Sequence, residues 1–194
     1  MASKKSSTLK SGDLVQVTIE KVAHGGHFIA RHDGAVIFVR HAIPGEKCTI
    51  QITSTGSSFN RADVVSVETP SEFRVEAPCT FSHRNGCGGC DFQHISVAHQ
   101  RTLKSDVITE QFSRIAKMDL RVEVEKVGES THWRTRAIAT TDRNGKLGFY
   151  KSRSHSIAPV TDCIICVDGM NFNEIASRDL KGDIRVEISA SNTG

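Results

Sequence analysis

Phe28-Ile29-Ala30-Arg31-His32-Asp33-Gly34-Ala35-Val36-Ile37-Phe38-Val39-Arg40 is an apolar run, a break and a second apolar run, and its reading decides how the N-terminal part of the chain folds. Phe28 to Arg31 has strand composition, His32-Asp33-Gly34 is a tight-turn signal, and Ala35 to Arg40 is rich in β-branched and aromatic residues, so the stretch predicts a β-hairpin. Upstream, Leu14, Val15, Val17 and Ile19 mark a strand broken at Gly25-Gly26. Downstream, Pro44-Gly45 turns the chain into Lys47 to Thr53, and Gly56 leads into Phe59 to Val67. Five short strands at this spacing predict a small OB-like barrel.

The pattern changes after residue 72. Pro78 to Asp91 is rich in Cys, Gly and His and too polar to pack a core of its own. Leu103, Val107, Ile108, Phe112 and Ile115 then recur at helical spacing behind a candidate N-cap, Ser96, which predicts one long amphipathic helix from Ser96 to Met118. Strands are expected at Val122 to Val127 and Trp133 to Thr141, followed by an Asn144-Gly145 hairpin turn into Leu147 to Lys151. A short helix is expected around Met170 to Ala176. Ile184, Val186, Ile188 and Ala190 alternate as in a half-buried strand with no partner after it, which reads as a truncated chain with an unpaired edge over Asp183 to Ser191. The expected class is α+β: a barrel domain over 1–72 and a small α+β domain with one long helix and a β-hairpin over 73–194.

With 194 residues, 38% hydrophobic and 24% charged, the chain has an ordinary globular composition. No apolar run approaches the roughly 20 residues of a membrane span, and Met1 to Lys10 is polar, so a cytoplasmic protein is expected. The net charge is only +3, but it is unevenly placed. Arg134, Arg136, Arg143, Lys146, Lys151 and Arg153 face a single acid, Asp142, between Thr131 and His155, whereas acids outnumber bases from Asp162 onward. Such a basic stretch can follow a phosphate backbone, and it can equally be a solvated hairpin.

Six cysteines without a secretory signal point to metal binding rather than disulfides. Cys79, Cys87 and Cys90 share one glycine-containing loop, and a fourth ligand must come from afar. Two assignments compete: Cys79, Cys87, Cys90 and Cys163 around a four-iron, four-sulfur cluster, or the pairs Cys87/Cys90 and Cys163/Cys166 around a zinc ion. Cys48, lying in a strand, reads as a buried unliganded thiol.

The run Cys87-Gly88-Gly89-Cys90-Asp91-Phe92-Gln93-His94, with Cys79 before it and Cys163 far after it, resembles the iron–sulfur motif of the bacterial 23S rRNA/tRNA uracil-C5 methyltransferase family. His24-Gly25-Gly26, Ala30-Arg31-His32, Phe38-Val39-Arg40-His41 and Pro44-Gly45-Glu46 resemble the TRAM domain, an RNA-binding barrel, that precedes the motif there. Trp133-Arg134-Thr135-Arg136-Ala137 and Gly148-Phe149-Tyr150-Lys151 are similar to the strand pair that follows it. The spacing from Cys79 to Cys87 is longer than the family's usual one, and Phe28 stands where a glycine is common.

This resemblance implies a 4Fe-4S cluster on Cys79, Cys87, Cys90 and Cys163, with Cys166 a spare. It also implies an RNA partner, rRNA or tRNA. In the family, S-adenosylmethionine, a cysteine nucleophile and a carboxylate base belong to a doubly wound methyltransferase domain; that domain is read as absent here, so no catalytic residue is assigned and a missing or separately encoded catalytic partner is expected. Arg134, Arg136, Lys151 and Arg153 are the candidate phosphate contacts, with Arg31 and His32 on the barrel. Three roles are weighed: the RNA-binding part of a uracil methyltransferase, a stand-alone TRAM-type module, and a zinc-stabilised interaction domain.

Overall fold

The computed structural model describes residues 9–191 as two compact units. The first comprises the chain up to Glu76 together with His94–Glu125; the second comprises Ala77–Gln93 and Lys126 onward. The sequence places one boundary at residue 72, whereas the chain crosses between the units three times.

In the first unit, strands β1 (Leu14–Ala23), β2 (His27–His32), β3 (Ala35–Arg40), β4 (Lys47–Ser54) and β5 (Asn60–Thr69) close a barrel in the order β1-β2-β3-β5-β4. All neighbours are antiparallel except β3 and β5, which run parallel. Asp33 and Gly34 both take positive φ between the paired residues His32 and Ala35, the combination a two-residue turn needs to match strand twist. Side chains alternate, so Ile19, Phe28, Ala30, Ile37, Val39, Ile50, Ile52 and Ala62 fill the interior together with Cys48. Burying Phe28 fully is worth about 1.5–3 kcal/mol.

One carboxylate organises the barrel's exit. Glu46 is fully buried and accepts from the Ile43 amide at 2.8 Å, the Ser71 amide at 3.1 Å, and Arg74 through both Nε and Nη2 at 2.6 Å. Arg74 Nη2 also donates to the His41 carbonyl at 2.9 Å. The segment held in this way pairs with the chain returning from the second unit: Arg74 bridges Ile95, the Val75 amide donates to His94 O at 3.0 Å, and the Ser96 amide donates to Phe73 O at 2.9 Å. His94 is buried and donates from Nε2 to the Ala42 carbonyl at 2.9 Å.

Helix α1 (Val97–Gln111) follows Ser96, which makes no side-chain cap bond, and continues as a π-helical turn over Phe112–Ala116 that stops at left-handed Lys117. Leu103 is buried as expected, but Phe112 and Ile115 are exposed, so the apolar stripe is covered less than its spacing predicts. Lys21 of β1 pairs with Glu110 at 2.6 Å. No strand forms at 122–127. Instead the Val122 amide donates to Thr109 Oγ1 at 3.3 Å and the Val124 amide to Ser105 Oγ at 3.0 Å, so helix hydroxyls take the place of a neighbouring strand.

The second unit holds a four-stranded antiparallel sheet in the order β8-β7-β6-β9, formed by β6 (Arg136–Thr141), β7 (Leu147–Tyr150), β8 (Ile157–Pro159) and β9 (Arg185–Ser189). A 3-10 turn over Asp168–Met170 and helix α2 (Phe172–Ala176) pack with Ala137, Ala139, Leu147, Val160, Cys166 and Ile188. The expected β6 start at Trp133 moves to Arg136, because Arg134 makes only an isolated bridge to Cys166. Asn144-Gly145 lies in a wider turn, in which Asp142 Oδ1 accepts from the Asn144 amide at 2.8 Å and the Lys146 amide at 2.9 Å. Strand β9, expected to leave an unpaired edge, pairs with β6 on one side and ends the sheet order on the other.

Candidate metal centre and nucleic-acid surfaces

The cysteine loop has no regular structure and is held by a chain of hydrogen bonds. Cys79 O accepts from the Ser82 amide at 3.0 Å, Phe81 O from the Cys87 amide at 2.9 Å, and His83 O from the Gly86 amide at 2.9 Å. Gln93 Oε1 accepts from the Cys79 amide at 3.1 Å, and the Gln93 side chain also bonds the Cys90 thiol, so one amide gathers both ends of the loop. Between the cysteines, the Gly88 amide donates to Tyr150 O at 3.0 Å. A Cβ at Gly88 would lie 2.5 Å from the Ser152 nitrogen, and this close approach requires glycine.

Cys79, Cys87, Cys90 and Cys163 all line one cavity of about 40 Å³, closed on its apolar side by Phe81, Phe149, Val160 and Ile165. Cys163 is placed there by a turn in which Asp162 Oδ1 accepts from its amide at 2.7 Å. Among the described residues no three His, Cys, Asp or Glu side chains converge tightly enough to hold an ion as they stand. Their mutual influence is nevertheless felt. Burial raises the pKa of Cys87 and Cys90, and neighbouring cysteines raise each further, while the Gln93 contact and the Arg134 guanidinium draw Cys90 back down. Cys87 and Cys90 thus resist ionising, and with the half-buried Cys79 and Cys163 they make up a sulfur donor set of the kind that soft cations favour.

Cys166 is not among the lining residues but touches Cys163. It is buried in the core, its amide donates to Cys163 O at 2.8 Å, and burial together with Cys163 pushes its thiol up to about 12. The lining of the cavity includes Cys79, Cys87, Cys90 and Cys163 and does not include Cys166. Cys48, in the barrel, is also pushed up to about 12, by burial and by Glu46.

The candidate phosphate contacts fall into different settings. Arg134 lines the cysteine cavity, with its guanidinium 5.2 Å from the centre of the exposed Trp133 ring. Arg136 pairs with Glu187 across β6 and β9 at 2.6 Å. Lys151 and Arg153 sit on the β7–β8 turn, Lys151 half-buried, Arg153 exposed and left-handed. On the barrel, Arg31 pairs with Glu20, and His32 lies 3.6 Å from Asp33. Sequence reading passed over Trp133 and Tyr150 as surface residues. Both are about half exposed, and their place beside Arg134 and Lys151 in the sequence was the available signal.

Residues 9–65 match the model of the TRAM domain. The chain is 39% identical over 93% of its length to an uncharacterized RNA methyltransferase of Streptomyces coelicolor, of which it covers 43%. It is 32% identical over 90% of its length to the 23S rRNA (uracil(1939)-C(5))-methyltransferase RlmD of a Shewanella species, of which it covers 41%. The Pyrococcus abyssi tRNA (uracil-54, C5)-methyltransferase, solved with S-adenosyl-L-homocysteine, superposes over 81% of this chain and 34% of its own with a TM-score of 0.54 at 17% identity, a likeness of fold. With a TRAM-domain match at residues 9–65 and relatives of one kind aligned along nearly its whole length, the chain is similar to part of these RNA methyltransferases and spans less than half the length of the curated relatives it matches.

Proposed function

We propose that this chain is the RNA-capturing, iron–sulfur-holding part of an S-adenosylmethionine-dependent RNA uracil-C5 methyltransferase. The observation that supports the reading is that Cys79, Cys87, Cys90 and Cys163 line one cavity beside the turn bearing Lys151 and Arg153. Those four thiolates would hold a four-iron, four-sulfur cluster, which when bound supplies a covalent tie between the Cys79–Cys90 loop and the segment at Cys163. Gln93 orients the loop for this, and Arg134 offsets part of the negative charge that a thiolate-ligated cluster carries.

Substrate capture rests on the barrel and on the basic turn. Lys151, Arg153 and Arg136 would supply phosphate contacts that set register, and Trp133 and Tyr150 offer faces to unpaired bases. Methyl transfer is assigned to the part of the relatives that this chain does not span. Thiol ligands of this kind persist in a reducing compartment, which supports a cytoplasmic setting.

Anaerobic purification tests the metal reading. The expected product is brown, contains iron and acid-labile sulfide, and loses both on Cys163→Ser while keeping them on Cys166→Ser. Colourless protein with stoichiometric zinc that survives Cys79→Ser would replace it with the zinc-stabilised alternative. RNA affinity should fall steeply as salt rises, since phosphate contacts release counterions; salt-independent binding would remove the basic surface from the account.

A further inference from the structure

We infer that the outer face of the barrel over β2, β3 and β5 is a stacking site for unpaired RNA bases, built from Phe38, Phe59 and Arg61. This rests on the RNA-binding reading above and names a surface that the basic-hairpin argument does not contain. Ile37 and Val39 are fully buried, so Phe38 between them projects outward from β3. Asn60 and Ala62 are buried on β5, so Arg61 projects outward as well. Register completes the arrangement: Phe38 is paired directly with Arg61 on one side and with Ile29 on the other, so the three lie side by side across three strands.

Phe59 precedes β5 and meets Phe38 edge to face, with ring centres 5.1 Å apart and planes at 87°. The Arg61 guanidinium lies 4.7 Å from the centre of the Phe59 ring. His27 closes the other side of Phe38 at 6.2 Å and 90°. None of Phe38, Phe59 and Arg61 is needed to fill the interior, which the inward set already occupies. Two half-buried phenyl rings and a planar cation on one side of a barrel form a surface to which the face of a nucleobase is complementary, and the cation also serves the following phosphate. A base in a duplex has its faces covered, so the site selects single-stranded nucleotides and tolerates any base. Arg31 lies two residues along from Ile29 on the same face of β2 and extends the surface along the strand.

The test uses the full chain in fluorescence anisotropy, with a labelled single-stranded oligoribonucleotide and a blunt RNA duplex of equal length at one salt concentration. Phe38→Leu and Phe59→Leu should each weaken single-strand binding roughly tenfold and leave duplex binding unchanged, the scale of one lost stacking partner. Phe59→Tyr should bind like the parent, and Arg61→Lys, which keeps charge but loses the plane, should weaken the single strand alone. Should a leucine variant melt early, a 5-bromouridine-substituted oligonucleotide cross-linked to the unaltered chain by near-ultraviolet light supplies the answer by mass spectrometry. Adducts at Phe38 or Phe59 support the site, and adducts confined to Lys126 and beyond overturn it. Unaltered single-strand affinity in both leucine variants overturns the stacking site alone, whereas a parent chain that binds no RNA overturns the RNA reading and this site with it.

Discussion

The amide of Gly88 donates to the carbonyl of Tyr150 at 3.0 Å, so the middle of the Cys87–Cys90 turn is bonded to the last residue of β7, directly before Lys151. A side chain there has nowhere to go: an added Cβ would sit 2.5 Å from Ser152 N and 2.7 Å from Tyr150 O, and backbone atoms cannot swing aside as a flexible side chain can. Gly89, one residue on, would place its Cβ 3.4 Å from the Cys87 sulfur, a contact that small adjustments absorb.

Gly88→Ala should therefore destabilise the second unit by about 1–3 kcal/mol, with faster amide exchange in both the loop and the β7–β8 turn, while Gly89→Ala stays within experimental error of the parent. Urea unfolding paired with hydrogen–deuterium exchange of the two variants reads both effects. Equal losses at the two positions would show that the close approach does not constrain the loop.

Arg74→Ala strands the Glu46 carboxylate, which keeps two amide donors but loses a bidentate cation inside a fully buried site. Removing one partner of a buried pair costs about 3–5 kcal/mol, and the lower end applies because Arg74 is partly reached by water. Thermal unfolding of the isolated variant should show the barrel transition moved down accordingly; an unchanged midpoint would mean that the amides alone carry Glu46.

Acid should loosen the barrel through His94. Burial pulls its pKa down from 6.5 to about 4, opposed only in part by its bond to Ala42 O, so the folded state keeps the imidazole neutral. Between those two values the unfolded chain binds the extra proton. Stability is therefore fully present above pH 6.5, falls as pH drops towards 4 and then levels, by on the order of 3 kcal/mol in all. His99, also lowered by burial and stacked on Phe73 at 3.8 Å, acts in the same direction. Urea titrations at pH 7.5, 5.5 and 4 should trace that slope, and His94→Gln should flatten it. A variant with the parent's full slope would locate the acid sensitivity elsewhere.

Thiol labelling should sort the six cysteines into two classes. Cys48 and Cys166 are buried with thiols pushed up to about 12, so neither offers thiolate at pH 8. In folded protein handled with chelator, iodoacetamide should modify the half-buried Cys79, Cys87, Cys90 and Cys163, with Cys87 and Cys90 slowed by their raised thiols, and leave Cys48 and Cys166 untouched until denaturant is added. Peptide mapping by mass spectrometry decides it; labelling of Cys166 at the pace of Cys163 would place Cys166 among the ligand candidates.

Legibility followed how local the physics was. The five barrel strands were readable because alternation and turn residues such as Asp33 and Gly34 act within a few positions of themselves. The grouping of Cys79, Cys87 and Cys90 on one loop was readable from spacing, and Cys163 entered both ligand assignments, but spacing could not say how closely it approaches the loop, since that depends on how the second sheet folds. Residues 122–127 looked like a strand because their alternation is real, yet the hydrogen-bond partners are the side chains of Ser105 and Thr109, which no periodicity reveals. Strand β8 is three residues long and ends in Pro159, too brief to leave a pattern. Glu46 was read only as part of the Pro44-Gly45-Glu46 resemblance; the return of Arg74 from twenty-eight residues away shows why it is buried. Phe38 and Phe59 were read only as strand residues; the register that sets Phe38 beside Arg61 on the outer face is not visible in the sequence.

The Arg74–Ile95 pairing means that the chain departs from the first unit and rejoins it at neighbouring points. Because closure entropy grows only logarithmically with loop length, doubling what hangs from that gap costs only about 0.6 kcal/mol. Residues 77–93 can therefore be treated as a cassette: a few glycines and serines in their place should leave barrel and helix folded, and a longer ligand-bearing insert should be accepted at the same doorway.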